Sequence, residues 1–239
     1  IFYIMKTLLG TCTKHDKENF EKTPTYKSML YGFLHGKGKN HEFYESMDLD
    51  AVIKTNNKEN IGKHYNKVLK MAVAEKYDWV ILMHDDVEID DSKWSDKLLD
   101  AFLDNDIVGL AGAKQIEIKE PALWHLMSQP LNWSGAVAHP ISDDQLNMTY
   151  FGPFPQRCLV LDGLFLAIKV SSITDDIKFD EDIPAIAHHY DMDFCLNANK
   201  HKLKLTTWPI WAIHRSPGLE EQTEEFEKAQ KYFLDKWQK

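Results

Sequence analysis

The chain has no run of eighteen apolar residues, so no segment is long enough to cross a bilayer as a helix. Its opening, IFYIMKTLLGTCT, turns polar too early for a secretory signal. Cysteine is scarce: Cys12, Cys158 and Cys195 are odd in number, far apart and without a CxxC pair. That pattern argues against a disulfide framework or a structural zinc site and predicts a reducing, cytoplasmic setting. None of the 11 glycines falls in GxGxxG, GxxxxGK(S/T) or GxSxG spacing, and HExxH is missing too. Rossmann dehydrogenase, P-loop and hydrolase readings lose their support. HGKGK, at 35–39, has the wrong spacing and reads as a flexible turn. Positive charge is also short, with 28 Lys and Arg against 37 Asp and Glu, a net −9. A generic phosphate-backbone binder needs a basic face; a small phosphorylated ligand arriving with a cation does not.

What is present is apolar and periodic. Hydrophobic residues make up 44% and aromatics 12% of 239 residues, enough for a sizeable core. YIMKTLLGTC reads as a first strand, TPTYKSMLYGFLH as a helix with Pro24 near its start, and HEFYESMD and DAVIKTNN as short strands. In NIGKHYNKVLKMAVAEK, residues Ile61, Tyr65, Val68, Leu69 and Ala72 share one helical face, with Asn60 as cap. WVILM is a buried strand, DDSKWSDKLLDAFLD a helix capped by Asp90 or Asp91, and DIVGLAGA another strand. This alternation predicts an α/β fold with a mostly parallel sheet flanked by helices. From 114 to 157 the periodicity fades into a segment rich in Trp, Pro, Ser and Gly, read as a long binding loop. CLVLDGLFLAIKV is a strand broken at Asp162 and Gly163, HHYDMDFCLNANKHK a helix, and LKLTTWPIWAIH one or two strands. The closing helix sets Phe226, Ala229, Phe233 and Trp237 on one face. No repeat or linker divides the chain, so one domain is expected.

The chemistry concentrates at strand ends. WVILM runs straight into His84, Asp85 and Asp86, and open α/β sheets bind ligands beyond the carboxyl ends of their strands. In extended backbone alternate residues share a side, so His84 and Asp86 point one way and Asp85 the other. One carboxylate then holds a metal while its neighbour holds another part of the ligand; equally, adjacent Asp residues after a strand merely start a turn. Asp191 gains from the exposed amides of a helix start. Asp193 lies about 200° around the helix from it, so one faces a cleft while the other caps or pairs. His188 and His189 read more readily as satisfied loop residues than as a metal pair. His214, after the apolar WAI, offers a nitrogen to a divalent cation.

Taken in order, these pieces resemble family 2-type glycosyltransferases of the GT-A fold. YDWVILMHDDVEI resembles the strand ending in a DxD-type motif, and NNKENIGKHYNKVLKMA the helix segment before it. LVLDGLFLAIK and IKFDEDIPAIAHHYDMDFCLNANKHKLKL resemble the Asp-Gly strand and the catalytic Glu-Asp region, and IHRSPG the terminal His-Ser element. The resemblance implies a Rossmann-like, mostly parallel central sheet in one domain, with a nucleotide-binding half (1–113) and an acceptor and catalytic half (114–239). It implies inverting transfer of a sugar from a nucleotide-diphosphate donor to an acceptor hydroxyl, assisted by Mn2+ or Mg2+. Asp86 matches the metal-binding acid, His214 a further metal ligand, and Asp85 the neighbour near the ribose or sugar. Asp191 matches the base. Thr11, Glu45, Asn57 and Lys63 are candidates for gripping the donor nucleoside, with Asp162 and Gly163 lining the sugar. Trp133 and His189 fall on the acceptor side. The acceptor class stays open among a glycan, a lipid-linked sugar, a protein side chain and a nucleobase.

The chain departs from that pattern twice: His84 stands where an acid is usual, and Tyr190 replaces the acidic neighbour of Asp191. Two other readings use the same residues. A metal-dependent phosphoester or nucleotide hydrolase would be built from His84, Asp85, Asp86, Asp191 and His214, and a catalytically silent module would bind nucleotide sugar without turnover.

Overall fold

The computed structural model describes residues 5–29, 47–142, 145–216 and 223–238. Glu45, the HGKGK turn and 217–218 of the IHRSPG segment lie outside the described residues. Strand β1 (Met5–Cys12) leads into two short helices, α1 (Lys17–Phe20) and α2 (Pro24–Ser28). Pro24 sits in the first turn of α2, and the Thr23 hydroxyl caps it by accepting from Tyr26 N. Strand β2 (Met47–Lys54) runs parallel to β1. Helix α3 (Ile61–Ala74) buries the apolar face read from its spacing, and Asn60 caps it by accepting from Gly62 N at 2.7 Å. The fully buried β3 (Trp79–Met83) pairs with β1, and a three-residue turn at 84–86 separates it from β4 (Val87–Ile89).

Helix α4 (Trp94–Ala101) has Lys93, not Asp90 or Asp91, at its N-cap. The Asp91 carboxylate instead accepts from Lys93 N, Trp211 N and Lys97 Nζ, tying the helix entry to the segment before the last strand. The chain continues through β5 (Ile107–Gly109), β6 (Ala111–Ala113), β7 (Trp133–Ser142), β8 (Gln145–Gly152), β9 (Gln156–Cys158), β10 (Val160–Leu161) and β11 (Phe165–Lys169). Helix α5 (Tyr190–Lys200), strands β12 (Leu205–Thr207) and β13 (Ala212–His214), and helix α6 (Glu224–Trp237) complete it.

Seven strands form one sheet in the order β2-β1-β3-β11-β5-β12-β9. This sheet is mixed, which corrects the mostly parallel expectation. β1–β2, β1–β3 and β5–β12 are parallel, while β3–β11, β11–β5 and β12–β9 are antiparallel. The Asp162-Gly163 turn sends β11 back through the middle of the sheet. A strand buried on both faces is apolar throughout whichever way it runs, so its composition does not reveal its direction. The reversal matters for the site, because it lays the start of β11 beside the end of β3. Phe165 faces Met83, and His84 N donates to Leu164 O at 3.1 Å.

A second sheet, β10-β6-β7-β13-β4, carries β8 on the side of β7. The β7–β8 hairpin occupies much of the stretch expected to be irregular. Its alternation is faint because the first half of β8 is exposed on both faces, and register shifts fall at Gly135/Ala136 and Pro140/Ser142.

Helix α6 buries Phe226, Ala229 and Phe233, with Gln230 accepting from Ala122 N. Lys236 pins its end, its Nζ lying 2.6 Å from Asp180 and 2.7 Å from Asp193. Asp193, only 2% exposed, also accepts from Trp237 Nε1. Burial pushes the Asp193 pKa up more than Lys236 and Trp237 pull it down. Lys236→Ala therefore strands a buried carboxylate and is expected to cost about 3 kcal/mol in urea unfolding. Lys228→Ala, which removes an exposed pair with Glu224, leaves the urea midpoint unchanged. The three cysteines are buried free thiols, and no helix among the described residues is long and apolar enough to cross a membrane.

Candidate metal and donor site

The second sheet explains how residues 128 positions apart in the chain meet. β4 pairs antiparallel with β13, setting Val87 opposite His214, and Arg215 N donates to Asp86 O at 2.8 Å. The backbone alone thus holds Asp86 beside His214. His214 Nε2 lies 3.3 Å and His84 Nδ1 3.9 Å from Asp86 Oδ1. One ligand atom from each of the three residues falls within 4.8 Å of the others. Residues 84–86 form a turn rather than a continuation of β3, so strand alternation does not govern Asp85; it lies outside the three-residue cluster, and its charge acts on Cys12 at the end of β1.

Asp86 Oδ1 and His214 Nε2 are buried atoms without a hydrogen bond, since their 3.3 Å contact lacks the geometry for one. Buried polar atoms are nearly always partnered, and a shared cation would satisfy both. The donor set of two imidazoles and one carboxylate suits a divalent transition metal. Burial works to raise the Asp86 carboxyl pKa, but the His214 and His84 imidazoles outweigh it and hold it below the usual range. Burial likewise works to lower His214, and Asp86 overcomes it to leave that imidazole raised. For His84 burial wins and the pKa falls, so its ring is neutral at pH 7 with a lone pair to give. His139 packs against His214 at 5.8 Å between ring centroids, a neighbour the sequence reading missed inside the supposed loop.

Behind this cluster lies a second constellation. His84 Nε2 meets the Tyr190 hydroxyl at 2.5 Å, and that hydroxyl donates to Gly163 O at 3.1 Å. Gly163 N donates to Asp191 Oδ2 at 2.9 Å, while Asp191 Oδ1 accepts from Met192 N at 2.8 Å. The approach is close enough to demand glycine: a Cβ at 163 would collide with the Tyr190 hydroxyl and lie 2.8 Å from Asp191 Cβ. The close approach that Gly163 permits is therefore to the chain's own α5. Asp162 accepts from Leu164 N and from Trp124 Nε1, each through one oxygen. Burial, then the charge of Asp162, pushes the Asp191 carboxyl up to about 7. Asp193 points away to Lys236, which separates the two acids of α5 as their helical spacing requires.

The remaining candidates divide. Thr11 is fully buried at the end of β1 with its hydroxyl unpartnered, Asn57 donates to Glu59 O, and Lys63 lies half-buried in the first turn of α3. His64, missed as an ordinary helical residue, is buried close to Thr11 and Val52, and burial lowers its pKa. Trp133 belongs to an aromatic cluster with Trp124, His125 and Phe151, at centroid distances of 6.3, 6.5 and 6.4 Å. His189 corrects the expectation placed on it. It adopts a left-handed backbone (φ 63°), is 3% exposed, and lies under α6 against Phe226 and Phe233. A ring so buried offers no face to an acceptor, and burial drives its pKa down to about 4.

Comparison with known proteins agrees with this architecture. Among solved structures, A197 from STIV aligns over 89% of this chain and 86% of its own, with 14% identity and a TM-score of 0.53. GalNAc-T7, solved with UDP, GalNAc and Mn2+, aligns over 98% of this chain and 48% of its own, with 11% identity and a TM-score of 0.52. At such identities the likeness is one of fold, here the GT-A glycosyltransferase fold. Sequence comparison with curated proteins finds no match. The profile described as "Glycosyltransferase like family" matches residues 41–237, most of the sequence, and the chain belongs to that family.

Proposed function

We propose that the chain is an inverting, metal-assisted glycosyltransferase that moves a sugar from a nucleotide-diphosphate donor to an acceptor hydroxyl. The observation that carries this reading is the meeting of a His84–Asp86–His214 donor set with the raised Asp191 carboxyl, through Tyr190 and Gly163. The UDP and Mn2+ in the GalNAc-T7 structure support the same ligand classes. Asp86, His214 and His84 would hold Mn2+ in preference to Mg2+, which favours all-oxygen sets. A cation there neutralises charge on the leaving diphosphate.

The chain's own residues supply the rest. Asp85, Thr11, Asn57 and Lys63 take the nucleoside side of the donor, with Glu45 kept as a further candidate outside the described residues. Asp162 and Gly163 border the sugar, and the Trp124–Trp133 cluster behind Asp162 shapes the acceptor side. Asp191, a stronger base than an ordinary carboxylate because it is buried beside Asp162, takes the proton from the acceptor hydroxyl as that oxygen bonds to the anomeric carbon. The bond from that carbon to the diphosphate breaks on the opposite face, which inverts the configuration. The 1–113 half would then bind nucleotide, while 114–239 supplies the base and His214.

Nucleotide release from UDP-, GDP- and dTDP-sugars, with and without glycan or lipid-linked acceptors, tests the reading. Turnover that rises steeply on adding one acceptor class is expected. Equal release without any acceptor would instead favour the metal-dependent hydrolase.

A further inference from the structure

Tyr190 has one hydroxyl proton and two polar neighbours. Gly163 O, at 3.1 Å, can only accept. A hydroxyl that donates there can only accept from His84 Nε2, at 2.5 Å. His84 then carries its proton on Nε2 and turns a bare Nδ1 toward Asp86, 3.9 Å away. The opposite tautomer would strand the Gly163 carbonyl and aim an N–H at Asp86 from beyond hydrogen-bond range. The tyrosine ring has little freedom to change this: it is 2% exposed and packs against Tyr65 and Phe179 at 5.8 and 6.0 Å.

We propose that Tyr190 is a positioning residue for the cation site, its hydroxyl locking His84 in the tautomer that presents Nδ1 alongside Asp86 and His214. This rests on the metal reading of those three residues. Metal-bound imidazoles ordinarily donate their second N–H to a carboxylate, carbonyl or water; here a tyrosine hydroxyl relays that bond to a carbonyl. The relay ends on a residue that does double duty. Gly163 O receives the Tyr190 hydroxyl while Gly163 N holds Asp191, so one residue, through its two flanking peptides, orients both the cation ligand and the proposed base.

The test pairs Tyr190→Phe, which keeps the ring, with wild-type protein. Free Mn2+, read by its EPR signal without donor, should bind the variant about 10–100-fold more weakly, with circular dichroism unchanged. Nitrogen-15 NMR of metal-free wild type should show His84 protonated at Nε2, and the variant should lose that single-tautomer signature. Equal Mn2+ affinity in the two proteins, or a wild-type His84 proton on Nδ1, would overturn the proposal while leaving the metal site standing. No Mn2+ binding by wild type would remove the metal reading and the proposal together. Should the variant fail to fold, the wild-type NMR measurement still decides.

Discussion

Asp191→Asn is expected to lower kcat/KM for sugar transfer by about 100- to 10,000-fold while leaving donor affinity nearly unchanged. The amide matches the carboxylate in size, and its oxygen still accepts from one of the two backbone N–H groups, of Gly163 and Met192, that the acid now satisfies. What it loses is basicity. In the native protein burial first, and the Asp162 charge second, raise this carboxyl to about 7. The group must be ionised to take a proton, so wild-type activity should climb with pH through that region and fall below it. The residual activity of the variant should lack this acid limb. Lost donor affinity in Asp191→Asn, or an acid limb that survives the substitution, would take Asp191 out of the base role.

Asp86→Ala should abolish the Mn2+ dependence of donor binding and reduce turnover about 100-fold or more, to the level of the wild type in chelator. Asp86 is the one anionic member of the cluster and the atom both imidazoles face. Without it, two neutral rings remain to hold a dication. Asp85→Ala is the control: its carboxylate is not part of the three-residue cluster, so donor affinity should fall while the metal requirement persists. Metal dependence that survives Asp86→Ala, measured by isothermal titration of donor with and without Mn2+, would overturn this assignment.

Much of the site was legible in the sequence because strand ends carry it. WVILM and WAIH are apolar runs that stop at a ligand-type residue, and His84 and Asp86 do come together with His214, though through a turn rather than the extended backbone that alternation assumed. The spacing of Asp191 and Asp193 likewise foretold that only one could face the site. What stayed hidden depends on pairings between distant strands. The antiparallel course of β11 has no compositional mark, yet it brings the Asp162-Gly163 turn to the end of β3. The contact between His84 and Tyr190 joins two residues 106 positions apart and follows from that course. His189 was placed on the acceptor side by the resemblance, whereas a left-handed backbone sets its ring under α6. The β7–β8 hairpin was missed because β8 is mostly exposed and so needs no apolar alternation.

The most direct test of the account is a thermal-shift panel of UDP-, GDP- and dTDP-sugars, each with and without Mn2+. Saturation near one hundred times Kd stabilises a fold by about 2.7 kcal/mol, which for a chain of this length is a rise of roughly 5–10 °C. The account predicts that rise for one nucleotide class, only with Mn2+, and its loss in Asp86→Ala. No shift with any donor, or the same shift with chelator present, would contradict it.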